Sequence, residues 1–327
     1  MTLTVLVTGA AGFVGSHFAR VAYDEGLAVL ALDDLSTSTR WPALPEKIER
    51  IVGDVADRAL VTQLVTSRGV NAIVHFAGRI RVEESMREPA LYFEQNLTKT
   101  IALLDAAVAA QASRALSFVM SSSAAVYGQA ERSPIVEMAP LRPINPYGAS
   151  KLAAEVVLES YARSHGVRWA ALRYFNAAGA HPDGSLAERH DPETHLVPLA
   201  IDAALGTRPP LVVYGDDYAT RDGTCVRDYV HVMDLADAHL AALAALDRGG
   251  SIGAVNLGSE RGSTVKELLA EVAHAVGRRV PHEVGPRRAG DPPKLVASAG
   301  LAREKLGWVP RRGLAEVVSD ALLARRA

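Results

Sequence analysis

The chain has 327 residues, 49% apolar and 22% charged, with a formal net charge of -2. That is enough apolar material for one large core or two smaller ones, and the dispersed Lys and Arg exclude a basic nucleic-acid footprint. No apolar run approaches the ~18 residues of a membrane span, and Cys225 stands alone, which excludes an internal disulfide and a cysteine-based metal cluster.

The opening MTLTVLVTGAAG runs straight into a strand-like stretch without a charged leader, so the expected location is the cytoplasm. Leu3 to Thr8 reads as a β-strand, followed by Gly9-Ala-Ala-Gly12-Phe13-Val14-Gly15 and a helical pattern to about Glu25. In such a strand, turn and helix, Gly9 permits the tight turn, Gly12 lets a pyrophosphate approach the backbone, and Gly15 lets helix and strand pack closely. A second strand, Ala28 to Leu32, ends in Asp33-Asp34, about 20 residues after the glycines. A carboxylate there accepts both ribose hydroxyls and repels a 2′-phosphate, which predicts NAD over NADP.

Glu49 to Gly53 is the next strand, with Asp54-Val55 at its carboxyl end, and a helix from about Asp57 to Ser67 leads to the strand Ala72 to Phe76. The small residues Ala77 and Gly78 at that strand end suit close backbone approach to a cofactor, and His75 reads as a packed strand residue. A long helix is expected within Glu83 to Ala110, with Asn96 near its middle. Ala115 to Ser121 is a fifth strand running into Ser121-Ser-Ser123.

The helix that begins NPYGASK carries Tyr147 and Lys151. Four residues apart on a helix, they share one face, and an ammonium beside a phenol lowers its pKa, making Tyr147 a candidate proton acceptor. Ser123, 24 residues earlier at a strand's carboxyl end, completes a candidate catalytic set. Strands and helices alternating in this order predict an α/β fold with a doubly wound parallel sheet.

After about Phe175 the alternation weakens into a loop through His195. His181, His190 and His195 lie among acids there, but their spacings fit no common ligand motif, and no metal is expected. Leu196 to Leu205 is helical, Leu211 to Val213 a short strand, and Tyr214 to Tyr229 a long polar segment. Ala254 to Leu257 and Val280 to Val284 read as strands. Helices are expected near Asp234 to Leu246, Thr264 to Val276 and Leu314 to Ala324.

Taken together, GxxGxxG, SSSAAVYG, YGASK, RYFNAAGAHPDG, YGDDYATRDGTCVRDYVHVMDLADAH and RRAGDPP resemble the extended short-chain dehydrogenase/reductases, and within them the UDP-hexose 4-epimerases, over nearly the whole chain. The resemblance implies an NAD-binding Rossmann domain over 1–175, to which segments near 229–260 return, and a smaller mixed α/β domain over 176–327 that binds the UDP-sugar. It implies interconversion of UDP-galactose and UDP-glucose by transient oxidation at C4 of the hexose. Ser123, Tyr147 and Lys151 would be catalytic, with Lys151 also on the nicotinamide ribose. Cofactor contacts would come from Gly9, Gly12, Phe13, Val14, Gly15, Asp33, Asp54, Val55, Phe76, Ala77, Gly78, Asn96, Ser121 and Tyr174 besides Tyr147 and Lys151. The substrate would meet Phe175, Asn176, Leu196, Tyr214, Arg227, Tyr229, Arg288, Asp291 and Leu295 besides Ser123 and Tyr147.

The resemblance also implies a homodimer, through the helices near Phe93 to Ala110 and Ser150 to Ser164. Two departures stand out against the family's pattern. Ile80, flanked by Arg79 and Arg81, replaces a cofactor-contacting Lys, and Leu295 replaces a bulky Tyr beside the sugar's 2-substituent, which would admit an N-acetyl group. Ala124-Ala125 after the strand-end serine lack the acid and base of a 4,6-dehydratase. A UDP-glucuronate or UDP-N-acetylhexosamine epimerase and a catalytically silent NAD-binding scaffold are the remaining alternatives.

Overall fold

The first half of the chain alternates apolar strands with helices closed by glycine. In the computed structural model, which describes residues 3–111, 115–288 and 292–326, this gives β1 (Thr4–Thr8), α1 (Phe13–Asp24), β2 (Ala28–Asp33), β3 (Glu49–Val52), α2 (Arg58–Arg68) and β4 (Ala72–His75). There follow α3 (Val82–Arg87), α4 (Pro89–Phe93), α5 (Lys99–Ala110), β5 (Ser117–Ser123), α6 (Pro146–His165), β6 (Arg168–Tyr174) and β7 (Asn176–Ala178). The second half holds α7 (Leu196–Leu205), β8 (Leu211–Tyr214), β9 (Val226–Arg227), β10 (Tyr229–His231), α8 (Val232–Asp247), β11 (Gly253–Leu257) and β12 (Ser263–Thr264). It ends with α9 (Val265–Val276), β13 (His282–Gly285), β14 (Lys294–Leu295), α10 (Gly300–Leu306) and α11 (Leu314–Arg326).

Seven strands form one sheet in the order β11-β6-β5-β4-β1-β2-β3, every pairing parallel. Val5, Leu6 and Val7 are fully buried, as a strand covered on both faces requires. On one face α1 and α8 pack Phe18, Ala22, Leu235 and Leu243 against the sheet. On the other, α2, α5 and α6 bring Leu64, Leu103, Leu104 and Leu158. The strand order reverses between β1 and β4, and the crevice at the carboxyl ends there is where an open α/β sheet receives its ligand.

The long helix expected within Glu83 to Ala110 is in fact interrupted. Pro89 has no N–H to continue a helix and crowds the preceding turn, so α3 ends before it and α4 starts on it. Glu94–Thr98 is a π-helical turn, with Asn96 inside it. The catalytic helix α6 starts cleanly: Asn145 caps it through a bond from the Gly148 N–H (2.8 Å), Pro146 opens the first turn, and Gly166 ends it in the left-handed region. Tyr147 thereby sits in the first turn, with Lys151 one turn further on.

β11 crosses back to pair with β6, and a separate apolar cluster joins α7, α9 and α11 with Leu211 and Val213 of β8. Two parallel pairs, β7 with β10 and β8 with β13, and the three-stranded β12-β9-β14 complete this part. No helix among the described residues is long and apolar enough to cross a membrane.

Candidate active site

One cleft of about 1820 Å³ lies across the carboxyl ends of the sheet. Its floor is the glycine turn. Gly9 has φ +68, and a Cβ there would lie 2.5 Å from the Ala77 nitrogen, so the turn passes directly beneath the end of β4. A Cβ on Gly15 would lie 2.2 Å from the Gly9 carbonyl, which seats the start of α1 on the turn. Helix α1 has no side-chain cap, so its first N–H groups face the cleft mouth and suit an anion. Asp33 accepts from Ala11 N (2.9 Å) and Leu35 N (2.8 Å), ties the turn to the end of β2, and has its pKa raised by burial.

Asp54 binds the Lys99 ammonium at 2.6 Å. Burial works against its charged form, but the Lys99 and Ala56 hydrogen bonds outweigh it and lower its pKa. Asp33, Asp54, Val55, Phe76, Ala77 and Gly78 all line the cleft with the glycines, Phe13 and Val14. Asn96 is spent on the protein itself. Its oxygen accepts from Arg79 N (2.7 Å), and its amide donates to Arg79 O and Ser150 Oγ, so it fixes the backbone beside Gly78 instead of lining the cleft.

Ser123, the last residue of β5, bonds the Tyr147 phenol and caps the short turn after the strand. Lys151 Nζ donates to Ser121 O at 3.0 Å and is buried. Burial pushes the Tyr147 phenol above its ordinary value, and the Ser123 hydroxyl pulls it part of the way back. The expected lowering by Lys151 is not found, because burial dominates the Tyr147 shift. Burial holds the Lys151 amine itself down, to about 8, although Glu155 one turn along opposes this. Tyr174 lines the same end, its hydroxyl paired with His239 Nε2 (2.8 Å), and burial raises its pKa.

Of the substrate set, Phe175, Asn176 and Leu295 line the cleft, and Phe175 and Leu295 each pack against the buried cluster of Ala124, Val126, Tyr127 and Ile135. Arg227 lies outside it and donates to Val226 O (3.0 Å) and Pro292 O (2.9 Å). Tyr214 and Arg288 are brought together, guanidinium over ring at 3.9 Å, also beyond the lining. Tyr229 is buried in the second apolar cluster and Leu196 packs against it, so neither side chain lines the cleft; Tyr229 opens a buried strand at the end of a polar run. Asp291 lies outside the described residues.

Around Ile80, which is exposed, Arg79 pairs loosely with Glu84 (3.9 Å), while Arg81 donates to the carbonyls of Asp191 (2.7 Å) and Pro192 (3.2 Å) across the cleft. His75 is the packed residue expected of it, between the Thr8 and Thr100 hydroxyls.

The sequence reading missed two features. Lys99, at the start of α5, lines the cleft and holds Asp54 (2.6 Å). Behind the serines, Arg173 and Glu155 form a buried bidentate pair (3.0 and 2.6 Å); Ser122 donates to Glu155, Arg173 to Tyr127, and Tyr127 to Asn256. The placing of Glu155 one turn after Lys151 was the available signal for this network.

A doubly wound sheet with a glycine-rich turn, a carboxylate ending β2 and a Ser/Tyr/Lys group across the crevice defines a dinucleotide-dependent enzyme of sugar-nucleotide type, and the chain belongs to the NAD dependent epimerase/dehydratase family, whose model matches residues 5–258. Among its relatives, the UDP-glucose 4-epimerase of Azospirillum brasilense is 45% identical over 324 residues, covering 99% of this chain and 92% of the relative. The crystal structure of the Brucella ovis UDP-glucose 4-epimerase in complex with NAD superposes with a TM-score of 0.92 at 44% identity, covering 98% of each chain. That of Bifidobacterium longum, in complex with NAD+ and UDP, gives 0.91 at 34% identity, covering 99% of this chain and 98% of the other.

Proposed function

We propose that this chain interconverts UDP-galactose and UDP-glucose by transient oxidation at C4 of the hexose. The observation that supports this reading is the pairing of Ser123 with Tyr147 in the cleft that also holds the glycine turn after β1, with the buried Lys151 bonded to the Ser121 carbonyl. The family and relatives nearly as long as this chain support it.

When bound, NAD supplies the hydride acceptor at C4 and gives the hydride back. The residues that fit it are the turn from Gly9 to Gly15, with α1 behind it for the pyrophosphate, Asp33 for the ribose and Asp54 near the base. Tyr147, as phenolate, takes the O4 proton while C4 loses its hydride, which leaves a 4-keto sugar. Ser123 holds O4 through the hydroxyl it already offers Tyr147, and Lys151 steadies the phenolate and binds the nicotinamide ribose. The keto sugar turns about its bond to the pyrophosphate, takes the hydride on its other face, and recovers the proton from Tyr147. Asn176 and Arg227 hold the UDP, for which Arg227 exchanges its two backbone carbonyls for phosphate oxygens.

Leu295 in the cleft favours a second substrate class, since a Leu there leaves room beside the sugar's 2-substituent. Phe93 and Val156 offer exposed apolar side chains on the helices expected to pair, which supports a homodimer, and cytoplasmic location is part of the same proposal. The test is a coupled assay of the purified protein without added NAD, using UDP-galactose and, separately, UDP-GalNAc. Turnover of UDP-galactose supports the reading, and turnover of both adds the second class. Silence with both, persisting after NAD is supplied, overturns it.

A further inference from the structure

A single residue, Asp228, separates β9 from β10, and it is buried at 0% exposure. β9 lies inside the three-stranded sheet, with Leu295 opposite Arg227, whereas β10 runs along β7, with Tyr229 opposite Asn176. The chain therefore passes at Asp228 from one small sheet to the other. Three residues of the substrate set, Arg227, Leu295 and Asn176, stand around this joint.

A buried carboxylate has to be met by donors. Oδ1 of Asp228 accepts from the Ser259 N–H (2.6 Å) and from the Ser259 hydroxyl, and Oδ2 accepts from the N–H groups of Ala297 (3.0 Å) and Glu260 (3.3 Å). Its main-chain carbonyl accepts from the Asn176 N–H at 2.9 Å. The loop after β11 is bent to supply two of these donors. Glu260 stands there at φ +61, which costs a residue with a Cβ, and its own carboxylate is tied to Ala299 N (2.9 Å) and Arg303 (2.8 Å). One side chain thus joins the loop after β11 to the stretch after β14, while its carbonyl holds the start of β7.

We infer that Asp228 is a positioning residue of the substrate end, fixing the joint so that Arg227, Asn176 and Leu295 address one ligand together; this rests on the reading of that end as the UDP-hexose site. Asp228 does not line the cleft and so acts only through these neighbours. Its hydrogen bonds end on residues 176, 259, 260 and 297, on the substrate side, and not on β1, β5 or α6, which carry the glycine turn, Ser123, Tyr147 and Lys151. Loosening the joint therefore weakens the grip on substrate and spares the chemistry and the cofactor.

The test is steady-state epimerisation of UDP-galactose by the full chain at saturating NAD, with UDP affinity by calorimetry and bound NAD measured on the same preparations. Asp228→Ala removes every side-chain acceptor at the joint. A hydrogen bond to a charged group is worth about tenfold or more in an equilibrium. KM for UDP-galactose and Kd for UDP should both rise by about that factor, with kcat within about threefold of the wild type and bound NAD unchanged. Asp228→Asn keeps one acceptor oxygen and should fall between Asp228→Ala and the wild type. Ser259→Ala removes one donor, leaves the carboxylate in place, and should raise both constants a few-fold; these two variants carry the test if Asp228→Ala does not fold. Unchanged KM and Kd in the variants that fold overturn the assignment. So does a fall of kcat and bound NAD in step with affinity, which is the mark of a general structural role. A wild type that neither binds UDP nor turns over UDP-galactose overturns the functional reading itself, and this assignment with it.

Discussion

Glu155→Leu strands a charge in the wall behind the catalytic serines. The side chains of Glu155 and Arg173 are 5% and 4% exposed and meet in two hydrogen bonds, so the guanidinium would lose its counter-ion with no water to replace it. Removing one partner of a buried pair costs about 3–5 kcal/mol. At ~2.1 cal/mol/K per residue, a chain of this length unfolds with an entropy near 0.7 kcal/mol/K, so the loss corresponds to a fall of about 4–7 °C in Tm. Glu155→Leu combined with Arg173→Met removes both charges. Tyr127 then keeps Asn256 as its partner (2.7 Å), and Ser122 loses only one hydrogen bond, so the double variant should return to within about 2 kcal/mol of the wild type. The assay is scanning calorimetry at saturating NAD on wild type, both singles and the double, with kcat measured alongside because Ser122 adjoins Ser123. A single variant costing under ~1 kcal/mol, or a double variant as damaged as the two singles summed, would refute the account.

Tyr147→Phe should lower turnover of UDP-galactose by about 10²–10⁴ while the protein retains NAD, and equal turnover by the coupled assay would exclude it as the proton acceptor. Gly15→Ala forces a Cβ to within 2.2 Å of the Gly9 carbonyl and should yield protein depleted of NAD and destabilised by about 1–3 kcal/mol, read from cofactor content and Tm; full occupancy would contradict the close approach. Burial holds His75 down to about 3 and His239 to about 4. The unfolded chain therefore takes up protons first, and stability should fall as pH drops from about 6.5 toward 4, by up to ~3 kcal/mol for one such group; a urea midpoint whose pH slope is the same in His75→Gln as in wild type would exclude its part in this. Leu295→Tyr should leave UDP-galactose turnover within a few-fold and suppress any turnover of UDP-GalNAc, and equal loss on both sugars would remove Leu295 as the determinant.

How far the sequence reached depended on whether a signal was local. The turn from Gly9 to Gly15, the strand ends at Asp33 and Ser123 and the helix holding Tyr147 and Lys151 each bear their pattern within a few residues, and α7 runs over the expected Leu196 to Leu205. Pro89 broke the one long helix expected, because an apolar period carried the pattern across a residue that cannot continue it. Tyr229 was hidden for the opposite reason: it begins a buried strand at the end of a polar run. Glu155 with Arg173 was out of reach, since the pair depends on α6 and β6, which only folding brings face to face.

The seventh strand bears on how the protein is made. A ribosome that has released only the first 200 residues has delivered six strands of the sheet, with the β6 edge from Arg168 to Tyr174 bare and Phe18 and Ala22 of α1 still uncovered. The chain supplies α8 and β11 only at 232–257, and they close both openings together. Until then the nascent protein shows an apolar flank beside an unpaired parallel edge, the kind of surface that chaperones hold and that aggregates form on. A fragment cut after Phe175 would retain the glycine turn and the Ser/Tyr/Lys group yet carry six of the seven strands with the β6 edge unpaired.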